Sequence, residues 1–397
     1  MFLKRLTLLV LIGLLAGTAQ AIDFARMEVN LSGGHSDNVL TDSSQARDFY
    51  STYEVKLNLY PSSKLEVGLN GDYNYYSNKL YLNNTDYGAQ ISFLPLNKNS
   101  KVGLLTNLKY NNRNYRENNN DITNDNFNTT EYDALMGADY LVSETFRVRS
   151  VLSYHESDFN RDEVANKNNF LLSGGFNLSL FNSNSLDLET GLSLGNLYYL
   201  PEFTTHPLFP DMVLPYSVSR DEQYSLLEKG DLNYFYYSLR FSRPLGLKSG
   251  ISFTFSVKNM YDLPAQALVY GYSTGYISPW NSIYDGYTIQ TSIKTYLLPG
   301  FIINFGGGYW DKDYLRTLEL GYDEMLGQHK LQPTTVDAAD RAENQRKIFL
   351  KIEMPLIVQN NLIEPFINFD YTNNNSTIIV YDYDNLNFIF GVSIKLR

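Results

Sequence analysis

Residues 53–70 have the sequence YEVKLNLYPSSKLEVGLN, and this stretch decides the fold class. Apolar residues occupy every second position from Tyr53 to Leu59 and again from Leu65 to Leu69, with polar or small residues between them. Because successive side chains of a strand point to opposite faces, this spacing predicts two strands, each with one apolar and one polar face. The five residues between them, 60–64, contain Pro and Ser, which are typical of tight turns. The stretch therefore predicts a β-hairpin.

The same alternation recurs along most of the chain. It is clear in residues 146–154, 186–194, 289–297 and 348–354, where aromatic, aliphatic and β-branched residues lie two positions apart. A spacing of two excludes an amphipathic helix, which needs a spacing of three to four. We count about sixteen strands. Merging two weak strands would give fourteen, and a hairpin hidden in one of the longest connectors would give eighteen.

The connectors between these strands switch regularly between short and long. The short connectors contain Pro, Gly, Asn or Ser, as turns require. Seven segments are short, namely 60–64, 96–101, 142–145, 181–185, 244–250, 297–300 and 358–362. Eight segments are long, namely 35–47, 77–85, 115–127, 156–167, 198–229, 262–284, 312–343 and 373–385.

Seven short and eight long connectors imply sixteen strands with both chain ends on the short-turn side. A water-soluble sandwich has no reason to collect its long loops at one end. A barrel that spans an outer membrane does, because its two rims face different compartments. The sequence therefore predicts an all-β fold, a transmembrane antiparallel up-and-down β-barrel of about sixteen strands with short periplasmic turns and long extracellular loops.

The N-terminal segment has the features of a secretory signal peptide. Lys4 and Arg5 precede the apolar run 6–15, and Ala19-Gln20-Ala21 is a small-residue cleavage site. The run is too short to span a bilayer as a helix. We therefore expect residues 1–21 to be removed and residues 22–397 to form one barrel in a Gram-negative outer membrane. With no cysteine in the chain, a lipoprotein anchor is excluded.

Charge and aromatic content narrow the class of partner. The formal charge of −11 becomes −13 when Lys4 and Arg5 are removed, so a nucleic-acid partner is not expected. The chain has 33 Tyr and 23 Phe but a slightly polar mean hydropathy of −0.29. Tyr suits a boundary between membrane and water, because it joins an apolar ring to a polar hydroxyl. The composition therefore fits a barrel with lipid outside and a wet lumen.

Two short segments carry a resemblance to a known class. The last segment, 387–397, has Phe388, Phe390, Val392, Ile394 and Leu396 in alternation. It resembles the C-terminal strand by which outer-membrane barrels are recognised for assembly, although the usual pattern ends in an aromatic residue and this chain ends in Leu396-Arg397.

Residues 33–39 are similar to a Gly-aromatic-Asp-x-Asn-hydrophobic segment of many porin-like barrels, with His35 in place of the aromatic residue. The chain thus resembles the broad class of bacterial outer-membrane porin-like barrels. The resemblance implies contact with membrane lipid and recognition by the barrel assembly machinery. A homo-oligomer follows only by analogy.

The polar faces of the predicted strands are the first candidate site. If the apolar faces contact lipid, charged residues line the lumen and set its ion preference. The basic residues lie on central strands and the acids concentrate toward the two chain ends, so we expect two opposed charged walls. The alternative is that these charges only hydrate and brace the lumen. The predicted pore-lining residues are Arg147, Arg149, Arg240, Lys258, Lys294, Glu54, Glu66, Asp72, Asp187 and Glu189.

Other chemistry has little support in the sequence. His155 lies beside Glu156, but neighbours on a strand point to opposite faces, and no Ser occupies a nucleophile turn. No His pair or Cys cluster suggests a metal site. We predict no catalytic residue, metal or cofactor. Aromatic residues in and beside the connector 262–284 suggest an aromatic girdle, with sugar binding as the alternative.

These features predict a porin-like channel for passive diffusion of small polar solutes through a charged lumen narrowed by loops. The alternative is a barrel that is not an open pore and whose long loops bind or help export a polysaccharide or a protein partner.

Overall fold

A computed structural model describes residues 25–39, 45–94, 101–115, 128–159, 167–201, 205–206, 209–213, 228–261, 267–271, 284–297, 300–314, 317–323, 328–333, 341–377 and 381–396. The predicted signal peptide lies outside these residues. Among the described residues, no helix is long and apolar enough to cross a membrane.

Sixteen long strands make up the fold. The first eight are β1 (Ala25–Ser36), β2 (Asp48–Ser62), β3 (Leu65–Tyr76), β4 (Asn84–Phe93), β5 (Val102–Tyr115), β6 (Thr129–Ser143), β7 (Phe146–Phe159) and β8 (Lys167–Ser179). The second eight are β9 (Ser185–Pro201), β10 (Asn233–Pro244), β11 (Ser249–Tyr261), β12 (Tyr284–Tyr296), β13 (Ile302–Tyr314), β14 (Ala342–Glu353), β15 (Asn361–Ser376) and β16 (Tyr383–Leu396).

The strands form a closed antiparallel ring. Each strand pairs with the next in the chain, and β1 pairs with both β2 and β16, so the last strand closes the sheet on the first. Closure leaves no unpaired strand edge, which is the condition for a sheet to exist in lipid. The predicted fold class and the count of sixteen are confirmed.

The predicted rhythm of connectors is also present. The short connectors join β2 to β3, β4 to β5 and each later pair up to β14 and β15. The other connectors lie at the opposite end of the barrel. At the short-turn end Ala25 lies opposite Leu59, and Met27 lies opposite Leu396. Both ends of the described chain therefore lie on the short-turn side, as expected.

Extra strands occur in the three longest connectors, but none enters the ring. Thr205–His206 pairs with Phe209–Val213 as a separate hairpin. Ala267–Gly271 pairs with the end of β9 and, in parallel, with Thr317–Asp323, which pairs in turn with Gln328–Pro333. Two further short strands, Glu228–Asp231 and Leu356–Val358, pair with β9 and β15. Three connectors thus share backbone pairing at the long-connector end.

The two faces of the ring differ sharply in polarity. Large side chains of the apolar face are exposed, for example Phe49 at 64% and Met136 at 62%. Its aromatic rings contact each other between neighbouring strands, as in Tyr110 with Tyr132 and Tyr154 with Phe170. Rings of this kind suit the level of the lipid headgroups. The apolar face is therefore the lipid-facing, outer side of the barrel.

The only buried apolar cluster among the described residues lies at the long-connector end of β1 to β4. Val39, Tyr76 and Leu82 pack together there, with Ala46 and Tyr50 against them. The rest of the fold has no apolar core of the kind found in a soluble protein, because its apolar side chains face outward.

A buried carboxylate ties this end together. Asp48, 1% exposed, accepts hydrogen bonds from Ser77 Oγ at 2.5 Å, from Lys79 N at 2.7 Å and from Asn78 N. It also accepts one from Phe49 N. These bonds hold the β3–β4 connector against the start of β2.

Candidate functional site on the inner wall

The predominantly polar face of the ring is the inner face. Arg149 of β7 contacts Glu189 of β9 across the intervening β8, with 2.6 Å between Nη2 and Oε2. Side chains on strands two apart converge on the concave side of a curved sheet. Strand register then assigns every other strand residue to the inner or the outer face, because directly opposed residues share a face.

Register places all ten predicted pore-lining residues on this inner face. Glu54 lies opposite Asp72, and Arg240 lies opposite Asp187. Lys258 lies opposite Tyr236 and Lys294 opposite Gly250, whereas Glu66 lies opposite Ser92. Their role in lining a pore stays a prediction.

Three acids form a continuous line on β2, β3 and β4, which we call the acid row. Glu54 lies directly opposite Asp72 on the neighbouring strand, and Asp72 lies directly opposite Asp86 on the next. Arg113 of β5 ends the line, donating to both carboxylate oxygens of Asp86 at 2.8 to 3.0 Å. Lys56 lies 2.7 Å from Glu54. The three acids and the two cations of this sector leave one net negative charge.

A second group, the arginine cluster, consists of Arg147, Arg149, Asp187 and Glu189. Arg149 contacts Glu189 at 2.6 Å and Asp187 at 4.0 Å, and Tyr236 Oη donates to Glu189 at 2.5 Å. Arg147 contacts an acid outside the group, Asp139, at 3.4 Å. Both arginines are close to the short-turn end of β7, and they lie among acids of their own sector. Sequence reasoning counted Asp187 and Glu189 among the acids that oppose the basic residues, whereas the structure brings them beside the arginines.

A third group lies at the long-connector end, where lysine ammonium groups lie beside tyrosine rings. This tyrosine–lysine group consists of Tyr234, Lys258, Tyr284 and Lys312. Lys258 Nζ is 4.4 Å from the ring centroid of Tyr234 and 5.2 Å from that of Tyr284. Lys312 Nζ is 5.5 Å from the same Tyr284 ring. Cations over ring faces at these distances are stabilising.

Beside it lies a buried group that we call the Arg341 clasp. The Arg341 guanidinium lies between two rings, with 3.9 Å from Cζ to the centroid of Tyr314 and 3.3 Å to that of Tyr381. Arg341 Nε donates to Glu343 at 2.7 Å, and both side chains are 3% exposed. The clasp fastens the start of β14 to the end of β13 and to the β15–β16 connector.

Apart from Lys258, which was predicted, sequence reasoning missed the members of these two groups, most of which it assigned to connectors. Lys312, Arg341 and Glu343 fell in the predicted connector 312–343, and Tyr284 in the predicted connector 262–284. In the structure β12 begins at Tyr284, and β13 runs to Tyr314. The continued alternation of Tyr284 with Gly286 and Thr288 is a signal that could have revealed the longer strand.

The acid row and the tyrosine–lysine group lie on opposite sides of the ring. The acid row is centred on β3 and Lys258 is on β11, which is eight strands away in either direction around the sixteen. This opposition differs from the predicted one, because its basic side is formed by lysines near the long-connector end, whereas the arginine cluster lies near the short-turn end.

The remaining inner-wall chemistry is modest. His155 Nδ1 is 2.7 Å from Asp133 Oδ1, and Lys109 is 3.9 Å from the same carboxylate. In the part of the chain that the structure describes, no group of three or more His, Asp and Glu side chains could hold a metal ion. The arrangement offers charge and hydrogen bonds rather than a reactive centre.

No protein-family model matches this chain, and no curated protein matches it. Solved structures resemble it at low identity. OccAB1 of Acinetobacter baumannii is 10% identical with a TM-score of 0.47, covering 94% of this chain and 97% of that one. OccK8 (OprE) of Pseudomonas aeruginosa is 12% identical with a TM-score of 0.47, covering 94% and 98%. A bacterial polysaccharide outer membrane secretin is 9% identical with a TM-score of 0.46, covering 94% and 98%.

The chain's own geometry defines its class. It has sixteen antiparallel strands closed between β1 and β16, an apolar outer face and a charged inner face. This is the architecture of a porin-like outer-membrane β-barrel.

Proposed function

We propose that this protein is a passive channel through which small polar solutes diffuse across the outer membrane of a Gram-negative-type cell. The observation that carries the proposal is the predominantly polar face that all sixteen strands present to the inside of a closed ring. Rings of sixteen to eighteen strands are wide enough to leave an aqueous channel. The ten predicted residues, from Glu54 to Lys294, would line that channel.

Charge on the wall would then select among solutes. The acid row and the tyrosine–lysine group face each other across the ring and would create a transverse field. Such a field orients dipolar solutes, and charged walls bias the passage of ions. The function therefore does not depend on a single residue, and its selectivity is distributed over two opposed sectors.

The surroundings follow from the same proposal. Lipid would contact the apolar outer face, and residues 1–21 would direct export and be cleaved. The barrel assembly machinery would recognise β16, whose pairing with β1 completes the ring. Association into a homo-oligomer is a separate question, which crosslinking of the purified protein in detergent answers.

A planar lipid bilayer tests the channel directly. The purified protein should give steady, stepwise ion conductance, and the double variant Glu54→Gln/Asp72→Asn should shift the zero-current potential away from cations in a salt gradient. Glu144→Gln, in the turn before β7, is the matched control and should leave the potential unchanged. A bilayer that stays closed at all voltages contradicts the channel function.

One observation favours a second candidate, a barrel whose outer loops bind or help export a polysaccharide or a protein. Three long connectors pair with one another through Ala267–Gly271 and Thr317–Asp323 at the long-connector end. Such pairing would hold a surface in one conformation. Conductance that occurs only after deletion of residues 202–227 favours this candidate, whereas steady conductance of the intact protein opposes it.

A further inference from the structure

We propose that Lys258, Tyr284 and Lys312 form a binding subsite for an acidic sugar on the inner wall. This inference names a substrate class for the channel and so rests on the proposed function. In the subsite, a carboxylate would lie between the two lysine ammonium groups, and the sugar ring would lie against Tyr284.

The backbone leaves a gap between the two lysines. Lys258 of β11 and Lys312 of β13 are both directly opposite Gly286 of β12. An added Cβ at Gly286 would overlap the carbonyl oxygen of Asp311, and the φ angle there is +150°. Only glycine fits such a close approach of neighbouring backbone. The absence of a side chain between the lysines is thus a requirement of the sheet.

Both lysines contact the same aromatic ring. Tyr284 is two residues before Gly286 on the same face, and its ring centroid is 5.2 Å from Lys258 Nζ and 5.5 Å from Lys312 Nζ. Two ammonium groups therefore converge on one ring. Tyr284 is partly exposed, and the centroid of its ring is 5.6 Å from that of Tyr314. An aromatic surface beside paired cations matches the apolar C–H face and the carboxylate of a sugar acid.

Charged side chains of both signs surround the gap, and among the described ones named here the cations outnumber the carboxylates. Lys167 and Asp285 interact electrostatically with Lys258, and Glu131 interacts with Lys167. Arg341 and Glu343 interact with Lys312, and Glu343 is already bonded to Arg341. Among the residues that the structure describes, these are four cations and three carboxylates, so one bound carboxylate would make the two signs equal in number.

The uncharged neighbours favour a sugar over a simple organic acid. Thr288 follows Gly286 on the same face, and Ser256 lies directly opposite Thr288. Gln345 accepts from Lys312 Nζ at 3.1 Å and donates to Tyr383 Oη at 3.1 Å. Hydroxyl and amide groups can each donate and accept, so they suit the hydroxyl groups of a saccharide.

A built-in fluorophore makes the subsite testable. Trp310 is directly opposite both Thr288 and Gln345 and is two residues from Lys312. The chain has one other tryptophan, Trp280. The full-length protein carrying Trp280→Phe is titrated in detergent with D-glucuronate, with neutral D-glucose and with sulfate, and Trp310 fluorescence is followed.

Glucuronate should change the Trp310 emission saturably, and glucose and sulfate should bind at least about tenfold more weakly. Lys258→Met and Lys312→Met, each keeping the aliphatic stem, should each weaken glucuronate binding by about tenfold or more, since each removes a charge-assisted contact. Lys248→Met, in the β10–β11 turn at the other end of the barrel, should leave binding unchanged. Lys312 is largely buried, so Lys258→Met decides the outcome if the Lys312 variant does not fold.

Equal binding of glucose and glucuronate overturns the role of the lysines, and equal binding of sulfate and glucuronate overturns the role of the ring. Equal weakening by Lys248→Met and Lys258→Met overturns the location. Because titration in detergent does not depend on ion flow, glucuronate binding without bilayer conductance would refute the channel and leave the subsite. Conductance without glucuronate binding would refute the subsite alone.

Discussion

Arg149 and Glu189 form an ion pair across an entire intervening strand. Their Nη2 and Oε2 atoms are 2.6 Å apart, and the residue between them on β8 is Gly175, directly opposite both. A larger side chain at Gly175 would stand between the two charges. The pair therefore combines two features of this barrel, concave convergence of side chains and glycine on the inner face.

The double variant Arg147→Glu/Arg149→Glu should shift the channel toward cations. Reversal replaces two positive charges with two negative ones and leaves Asp187 and Glu189 without their arginine partner, so the inner wall near the short turns becomes strongly negative. The zero-current potential in a salt gradient measures the shift. Losing a partly exposed pair of this kind costs only about 0.2–1 kcal/mol, and repulsion between the new carboxylates and Glu189 adds to that loss of stability. An unchanged potential would show that these residues do not control ion passage.

Gly191→Ala should destabilise the barrel. The Tyr236 ring lies beside Gly191, and an added Cβ would overlap the Cε1 atom of that ring. The ring must then move, which would also disturb its 2.5 Å hydrogen bond to Glu189. Overpacking of this kind typically costs about 1–3 kcal/mol.

Urea unfolding of the detergent-solubilised protein measures this loss. Gly250→Ala is the matched control, since an added Cβ there would come no closer than 3.7 Å to Arg243 O. Equal stability of the two variants would mean that the Tyr236 ring does not depend on a bare glycine beside it.

Arg341→Met should loosen the long-connector end between β13 and β16. It removes the guanidinium between Tyr314 and Tyr381 and takes the closest partner from buried Glu343. Breaking a buried pair costs about 3–5 kcal/mol, and the lower end applies because Lys312 remains 3.9 Å from Glu343. Hydrogen exchange of the β14 amides measures the loss. The double variant Arg341→Met/Glu343→Gln should recover part of it, and no recovery would contradict the role of Glu343.

Asp48→Asn should release the β3–β4 connector. The carboxylate accepts from Ser77, Asn78 and Lys79, and an amide offers only one oxygen for these donors. Loss of bonds to a charged acceptor costs about 1.5–3 kcal/mol, which corresponds to a local opening roughly tenfold to a hundredfold more frequent. Trypsin, which cleaves after lysine, should therefore cut after Lys79 faster by that factor. Ser77→Ala, which removes one donor and keeps the carboxylate, should have a smaller effect.

The fold was largely predictable from sequence, and the contacts within the site were not. Alternation with a period of two is a local property, so Tyr53 to Leu69 alone predicts a hairpin with two distinct faces. Closure was predictable because connector lengths fix the strand parity. Partners such as Arg149 and Glu189, which are 40 positions apart, depend on which strands are neighbours and in which register.

Strand ends were the weakest part of the prediction. Tyr284, Lys312 and Arg341 lie at or next to the long-connector ends of strands, and there polar and aromatic residues serve both the strand and its connector. Composition alone therefore suggests a loop. The backbone pairing that extends the strand comes from its neighbour, and the sequence of one strand does not contain that information.

The meeting of Met27 and Leu396 has a topological consequence. In a ring whose two chain ends are adjacent, no strand is structurally first or last, so the pairing information is cyclic although the polypeptide is linear. A circular permutant that joins the two chain ends and opens at the β2–β3 turn would keep all sixteen strand pairings. It would lose only the covalent connection at that turn. It would move residues 387–396 to the interior of the chain, and so separate what makes this barrel stable from what makes a cell assemble it.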